Sequence, residues 1–491
     1  MTTSFTQPLR LRAFLLALIV TLTLASIGGD PSSARSNRGS VRASSNAIRP
    51  PNIVFILADD LGWTDVACFG SKYYETPNID RLAAQGLKFT SAYTAAPNCS
   101  PTRASLMTGA YTPRHGIWTA IGGAGDQAPP ASAKLIPAPN GRQLPLEFTT
   151  IAQSLKASGY ATGMFGKWHL GQQGDYHPSK RGFDEAIETM GRHFEFRTNP
   201  QTPADPKEYL ADFLAARAES FIERHKDQPF FLYLPHFAVH APYQAKPELI
   251  AKYEKKPAAA PAGGHRNPTY AAMIDSLDQA VGRVMAKLDA LGLGENTLLI
   301  FSSDNGGVGG YTSNDGRPEN RGITGNVPLR GGKGQLYEGG VRVPLIARWL
   351  GVIKPGSTTA QPVISVDFFP TFLQLARSKE NPKQPRDGVS LAPLLKSSGR
   401  MKLKRETLYW NFPGYLPGRT TPAGSIRSGD WKLIEFFEDG KLELYNLAED
   451  LSERNDLATK MPDKTRELHE KLKAWRRAAG APIPKPKPRA D

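Results

Sequence analysis

The 491-residue chain has only two cysteines, Cys68 and Cys99. That excludes a disulfide framework and leaves no Cys/His finger. Acids are in deficit, 46 Asp and Glu against 61 Lys and Arg, for a formal charge of +15. Such a balance draws anionic partners. No RNP-like motif accompanies it, so nucleic acid is not the expected partner. Long apolar runs are missing too. The run Ala13–Ala25, preceded by Arg10 and Arg12, is too short to span a bilayer comfortably, which makes residues 1–28 a secretory signal peptide. Residues 29–51, rich in Ser, Arg and Asn, read as a disordered leader. The mature chain is therefore expected outside the cytoplasm, periplasmic or secreted, without stable membrane insertion.

What is present is a series of apolar runs that end in chemically useful residues. Asn52–Ala58 is continuous and β-branched, the pattern of a parallel strand buried on both faces, and Asp59-Asp60 follow it. Adjacent carboxylates are either solvated turn acids or a pair bridged by a cation. A strand over 160–165 leads into Gly166-Lys167-Trp168-His169-Leu170-Gly171, where Lys167 and His169 share a side if extended. Pro229–Pro235 precedes His236 and His240, and Pro242 argues against a helical metal pair there. Thr297–Phe301 precedes Asp304-Asn305. Strand ends of this kind are where open α/β sheets hold ligands.

Helices are expected over 79–85, 149–158, 207–226 and 269–291, the last with Met273, Leu277, Val281, Val284 and Leu288 in a core-facing stripe. Residues 329–344 (LRGGKGQLYEGGVRVP) read as a glycine-rich loop presenting Lys333. His193 is a candidate for lining the substrate cleft, and His115 reads as structural. The connection 121–146 has few periodic hydrophobics, and long loops of this kind often shape a site.

The stretch Asn98–Gly109, NCSPTRASLMTG, holds the second cysteine. By its residues alone Cys99 could be half of a disulfide to Cys68, a nucleophile with its pKa depressed by Arg103, or a small buried hydrophobe. The whole string closely resembles the signature of the type I sulfatases. The Asp59-Asp60 pair, the Gly-Lys-Trp-His-x-Gly element, the histidine two residues before Pro242, Asp304-Asn305 and the Gly-Lys-Gly…Tyr-Glu-Gly-Gly-Val-Arg-x-Pro element resemble that family as well.

The resemblance implies an alkaline-phosphatase-like α/β/α sandwich with a large, mostly parallel sheet over 52–395. It further implies a small C-terminal antiparallel sheet with a helix over 396–482, and the tail beyond it, 483–491, reads as disordered from its charged, proline-rich composition. It implies that Cys99 is oxidised by a formylglycine-generating enzyme to Cα-formylglycine. Asp59, Asp60, residue 99, Asp304 and Asn305 would bind Ca2+, or Mg2+, through oxygen donors. Arg103, Lys167 and Lys333 would neutralise a sulfate group, His240 would protonate the leaving alcohol, and His169 would support turnover at the aldehyde. The substrate implied is a sulfated small molecule or a sulfated glycan. A phosphate or phosphonate ester hydrolase and a catalytically silent glycan-binding protein are the rival readings.

Overall fold

The computed structural model describes residues 49–123, 129–257, 265–309 and 323–488. The expected signal peptide, the leader up to residue 48 and the last three tail residues lie outside these segments. One large sheet organises the chain. Its strands are β1 (Asn52–Ala58), β2 (Leu87–Tyr93), β3 (Ala161–Gly166), β4 (Glu185–Thr189), β5 (Thr198–Asn199), β6 (Phe230–Pro235), β7 (Thr297–Ser303), β8 (Arg342–Arg348), β9 (Ser357–Thr359) and β10 (Val363–Ile364). Their order is β9-β2-β8-β7-β1-β6-β3-β4-β5, with β10 also beside β2. The central pairs β7-β1, β1-β6 and β6-β3 are parallel, whereas β8 is antiparallel to both its neighbours.

All seven residues of β1 are buried. Val54, Ile56 and Ala58 enter one core and Ile53, Phe55 and Leu57 the other, as a two-residue side-chain period requires between two helical layers. Helices Pro77–Ala84, Leu210–His225 and Pro268–Ala290 supply the first core, and the expected stripe from Met273 to Leu288 is wholly buried there. Helices Cys99–Thr108, Ile151–Ala157 and Phe368–Ala376 supply the second. None of the described helices is long and apolar enough to cross a membrane.

Three local readings differ from the structure. The helix expected from residue 207 begins at Leu210, because Asp205 binds the Lys207 N–H and holds a turn there. The end of the glycine-rich stretch 329–344 is not loop, since Arg342 opens strand β8. Part of the tail expected to be disordered is paired: Lys485–Pro486 lies antiparallel to Leu135–Ile136 inside the long connection. Pro486 is tolerated because this ribbon is all edge.

The C-terminal strands β11 (Thr407–Phe412), β12 (Ala423–Ser428), β13 (Trp431–Phe436) and β14 (Leu442–Asn446) form a separate antiparallel sheet. Leu468 and Leu472 of helix Pro462–Ala479 pack on Ile426, Leu433 and Leu444. A buried charge cluster ties this sheet to the larger part. The Lys432 Nζ lies 2.9 Å from both Glu338 and Glu453, and all three residues are wholly buried.

Candidate active site

Because the central strands run parallel, the segments after β1, β3, β6 and β7 emerge at one edge, and the segment before antiparallel β8 joins them. That topology gathers Asp59-Asp60, Lys167-His169, His240, Asp304-Asn305 and Lys333. Helix Cys99–Thr108 adds Cys99 as its first residue, and Gly109, in the left-handed region with its N–H on the Ser105 carbonyl, closes the helix.

Asp59, Asp60 and Asp304 are all buried. The Cys99 Sγ lies 3.4 Å from Asp59 Oδ1 and 4.0 Å from Asp60 Oδ1. Lys167 Nζ donates to Asp59 Oδ2 at 2.5 Å, and Lys333 Nζ lies 2.7 Å from Asp60 Oδ1. The Arg103 Nε and one terminal nitrogen both donate to Asp304 Oδ2, at 3.0 and 2.7 Å. Its other terminal nitrogen donates to the Lys167 carbonyl at 2.7 Å. Arg103 therefore braces the acids and the lysine segment.

Burial by itself would raise Asp59, but Lys167, His240, Arg103 and Lys333 outweigh it and hold the carboxyl well below its ordinary range. Burial also opposes the lysine and histidine that lower Asp60. For Asp304, burial and the Asp59 charge prevail over Arg103 and raise the group to about 6. Burial, then Asp304 and Asp59, push the Cys99 thiol up, which counts against the thiolate reading. The disulfide alternative also fails, since both cysteines are free. Cys68 is half-buried, and desolvation pushes it to about 12.

A hard cation fits this group by its donors. Three carboxylates converge here, and the Asn305 side-chain oxygen is buried without a partner while its amide nitrogen donates to Asp60 Oδ1 at 2.8 Å. One ligand atom each from Asp59, Asp60, Cys99 and His240 lies within 4.8 Å of the others, so His240 stands close enough to join them. Asp60 has φ 64°, a left-handed conformation unusual outside glycine, and its N–H meets Asp304 Oδ1 at 3.2 Å. His169 has φ 62°. Two such residues at one edge mark where the fold accepts backbone strain.

The histidines separate by their surroundings. His240 Nε2 is 3.7 Å from Asp60 Oδ2, and its Nδ1 lies 2.6 Å from the Ala241 carbonyl. His169 Nε2 lies 2.9 Å from the Ile121 carbonyl, leaving a buried Nδ1 with no partner. Burial and then Lys167 lower His169 well below its ordinary value. His236 is wholly buried, with both ring nitrogens unpartnered and its pKa lowered to about 3. It does not join the group. His115 bonds Ser105 Oγ at 3.0 Å and is structural, as expected.

His193 does not line a cleft. It is buried, stacked between Tyr209 and Phe237, with Nε2 2.8 Å from the His240 carbonyl. Phe237 went unnoticed in the sequence, yet its ring meets those of His193 and His240 at 5.0 Å and lies 5.6 Å from Lys167 Nζ. The only signal for it was its place between the two histidines after β6. Asp65 was missed too. It accepts from the Gly62 N–H, the Tyr270 hydroxyl and the Thr324 hydroxyl, and so fixes the turn that carries the acidic pair.

Residues 51–378 match the family model described as Sulfatase, and residues 332–478 match one described as N-sulphoglucosamine sulphohydrolase, C-terminal. A protein named Sulfatase from Formosa agariphila is 35% identical, covering 88% of this chain and 89% of its own. Arylsulfatase A of Homo sapiens is 35% identical, covering 80% of this chain and 76% of its own. Among solved structures, Ps i-CgsB in complex with k-i-k-neocarrahexaose superposes with a TM-score of 0.73 at 29% identity, covering 87% of this chain and 93% of that one.

Proposed function

The chain belongs to the sulfatase family and is a sulfuric ester hydrolase; from that premise we propose that it is an exported enzyme releasing inorganic sulfate from sulfated carbohydrates, through a formylglycine formed from Cys99. The oligosaccharide bound by the 29% identical Ps i-CgsB supports the carbohydrate class, as does the chain's excess of basic residues. Asp59, Asp60, Asp304 and Asn305, with residue 99, would hold Ca2+ or Mg2+, which supplies Lewis-acid polarisation when bound.

The remaining steps belong to the chain. One hydroxyl of the hydrated aldehyde at position 99, its proton lost to solvent, attacks sulfur as the alkoxide while the S–O bond to the alcohol breaks. Lys167 and Lys333 neutralise the sulfate oxygens, and Arg103 keeps Asp304 and the Lys167 backbone in place. His240 protonates the departing alcohol from Nε2. Burial lowers its pKa, and a sulfate anion close to the ring favours the protonated form. His169, with Nε2 on the Ile121 carbonyl, offers Nδ1 to accept a proton from the second hydroxyl, so that sulfate leaves and the aldehyde returns. A thiol or serine has no second hydroxyl for this elimination.

The observation that carries the reading is Cys99 Sγ, 3.4 Å from Asp59, at the centre of three carboxylates and two lysines. Protein made with a formylglycine-generating enzyme should yield an Asn98–Arg103 peptide with a hydrazine-reactive aldehyde and should release sulfate. A Cys99→Ala variant should do neither. Full sulfate release by protein with an intact thiol would overturn the mechanism, and faster release of phosphate than sulfate would replace the substrate.

A further inference from the structure

A cleft of about 480 Å³ opens beside His169, within the range of roughly 300–1,000 Å³ typical of small-ligand sites. Arg142 and Gln143 reach it from the long connection, Gln172 and Gln173 from the turn after His169, and Met190 from the end of β4. His169 also lines it, so the cleft adjoins the reacting centre. Nothing in the chemistry at sulfur uses these side chains.

Their chemistry is specific. Three carboxamides each present donors and an acceptor, the complement of neighbouring sugar hydroxyls. Met190 offers an apolar contact, with its sulfur 3.8 Å from the Gln172 amide. Among the described lining residues Arg142 carries the one permanent charge, and it is exposed. Glu188, 3% exposed, packs against two of the residues that line the cleft, His169 and Gln172. Burial raises it to about 7, against the opposing His169 N–H and Gln172 amide, so only about half of this acid is ionised at neutral pH and its repulsion of an anion is reduced.

We propose that this cleft is a subsite for the sugar next to the one that loses its sulfate, with Arg142 reading a second anionic group, sulfate or carboxylate, on that neighbour. The inference rests on the sulfatase reading and extends it to multiply charged glycans. An aryl sulfate does not use this subsite.

The test compares kcat/KM for 4-nitrophenyl sulfate with that for three sulfated disaccharides whose second sugar is neutral, sulfated or a uronate. The wild type should favour at least one anionic neighbour over the neutral one by about tenfold, mainly through KM. Arg142→Gln should abolish that preference, and the anion whose advantage vanishes names the group read. Lys396→Gln, which removes an exposed lysine elsewhere, should keep the preference and so exclude net charge as its cause. An unchanged preference in Arg142→Gln, or none in the wild type while 4-nitrophenyl sulfate is hydrolysed, would overturn the subsite alone. No sulfate release from any substrate would overturn the sulfatase reading and the subsite with it.

Discussion

Replacing Lys432 with Met tests the link between the two sheets. The ammonium lies 2.9 Å from Glu338 and from Glu453. Without it Glu338 keeps Arg342 at 3.1 Å and the Tyr93 hydroxyl at 2.7 Å, whereas Glu453 keeps the Glu338 N–H at 2.7 Å. Breaking a buried pair from one side costs about 3–5 kcal/mol. Burial raises wild-type Glu453 from 4.5 to about 7. A carboxyl with a raised folded-state pKa contributes stability at low pH that is lost as pH rises towards that value. In the wild type this loss ends near pH 7. In Lys432→Met the Glu453 pKa rises further, so the loss continues at about 1.4 kcal/mol per pH unit. The variant's deficit should therefore be about 2 kcal/mol larger near pH 8.5 than near pH 6. Urea unfolding followed by tryptophan fluorescence at both pH values measures it, and adding Glu453→Gln should flatten the difference. A deficit under about 1 kcal/mol, or one equal at both pH values, would refute the reasoning.

Asp304→Ala should retain the fold but lose bound divalent cation and most activity; near-normal turnover with full metal content by elemental analysis would contradict its placement. His240→Ala should slow esters of poorly acidic alcohols at least about tenfold more than activated aryl sulfates, the range of general-acid contributions. Equal losses on the two substrate classes would assign His240 to binding. His193→Phe retains an aromatic stack but loses the bond to the His240 carbonyl, a single hydrogen bond of about 1 kcal/mol. It should lower kcat several-fold on unactivated esters and leave far-UV circular dichroism unchanged. Unaltered kcat would remove His193 from the positioning of His240.

Strands β1, β6 and β7 were legible because burial on both faces leaves an uninterrupted apolar run. β8 was not, since Arg342 and Arg348 sit at its two ends. Their guanidiniums bond to the Thr90 carbonyl and to Asp289, partners far away in sequence. β4, Glu185-Ala186-Ile187-Glu188-Thr189, hides a buried acid in a string that reads as surface. In the site, the acids stood out because each follows a strand and matches a known motif. His193 misled, because an isolated histidine in an irregular segment carries no sign of the ring it will stack on. Glu338, Lys432 and Glu453 form a cluster only in three dimensions; in one dimension each is an ordinary charge.

Cys99 is 1% exposed, and all ten residues of the helix it opens, Pro101 and Arg103 included, are buried. An enzyme that oxidises this thiol must take the motif into its own cleft. Once the chain has folded, that would mean unwinding the helix and parting Arg103 from Asp304. Under the oxidation of Cys99 proposed above, folding and oxidation would compete against one clock. On the proposed mechanism, a molecule that folds with its thiol intact stays inactive. The specific activity of a preparation then records the order of two events in the life of each chain. Slower folding or earlier delivery of the modifying enzyme would raise it with no change of sequence.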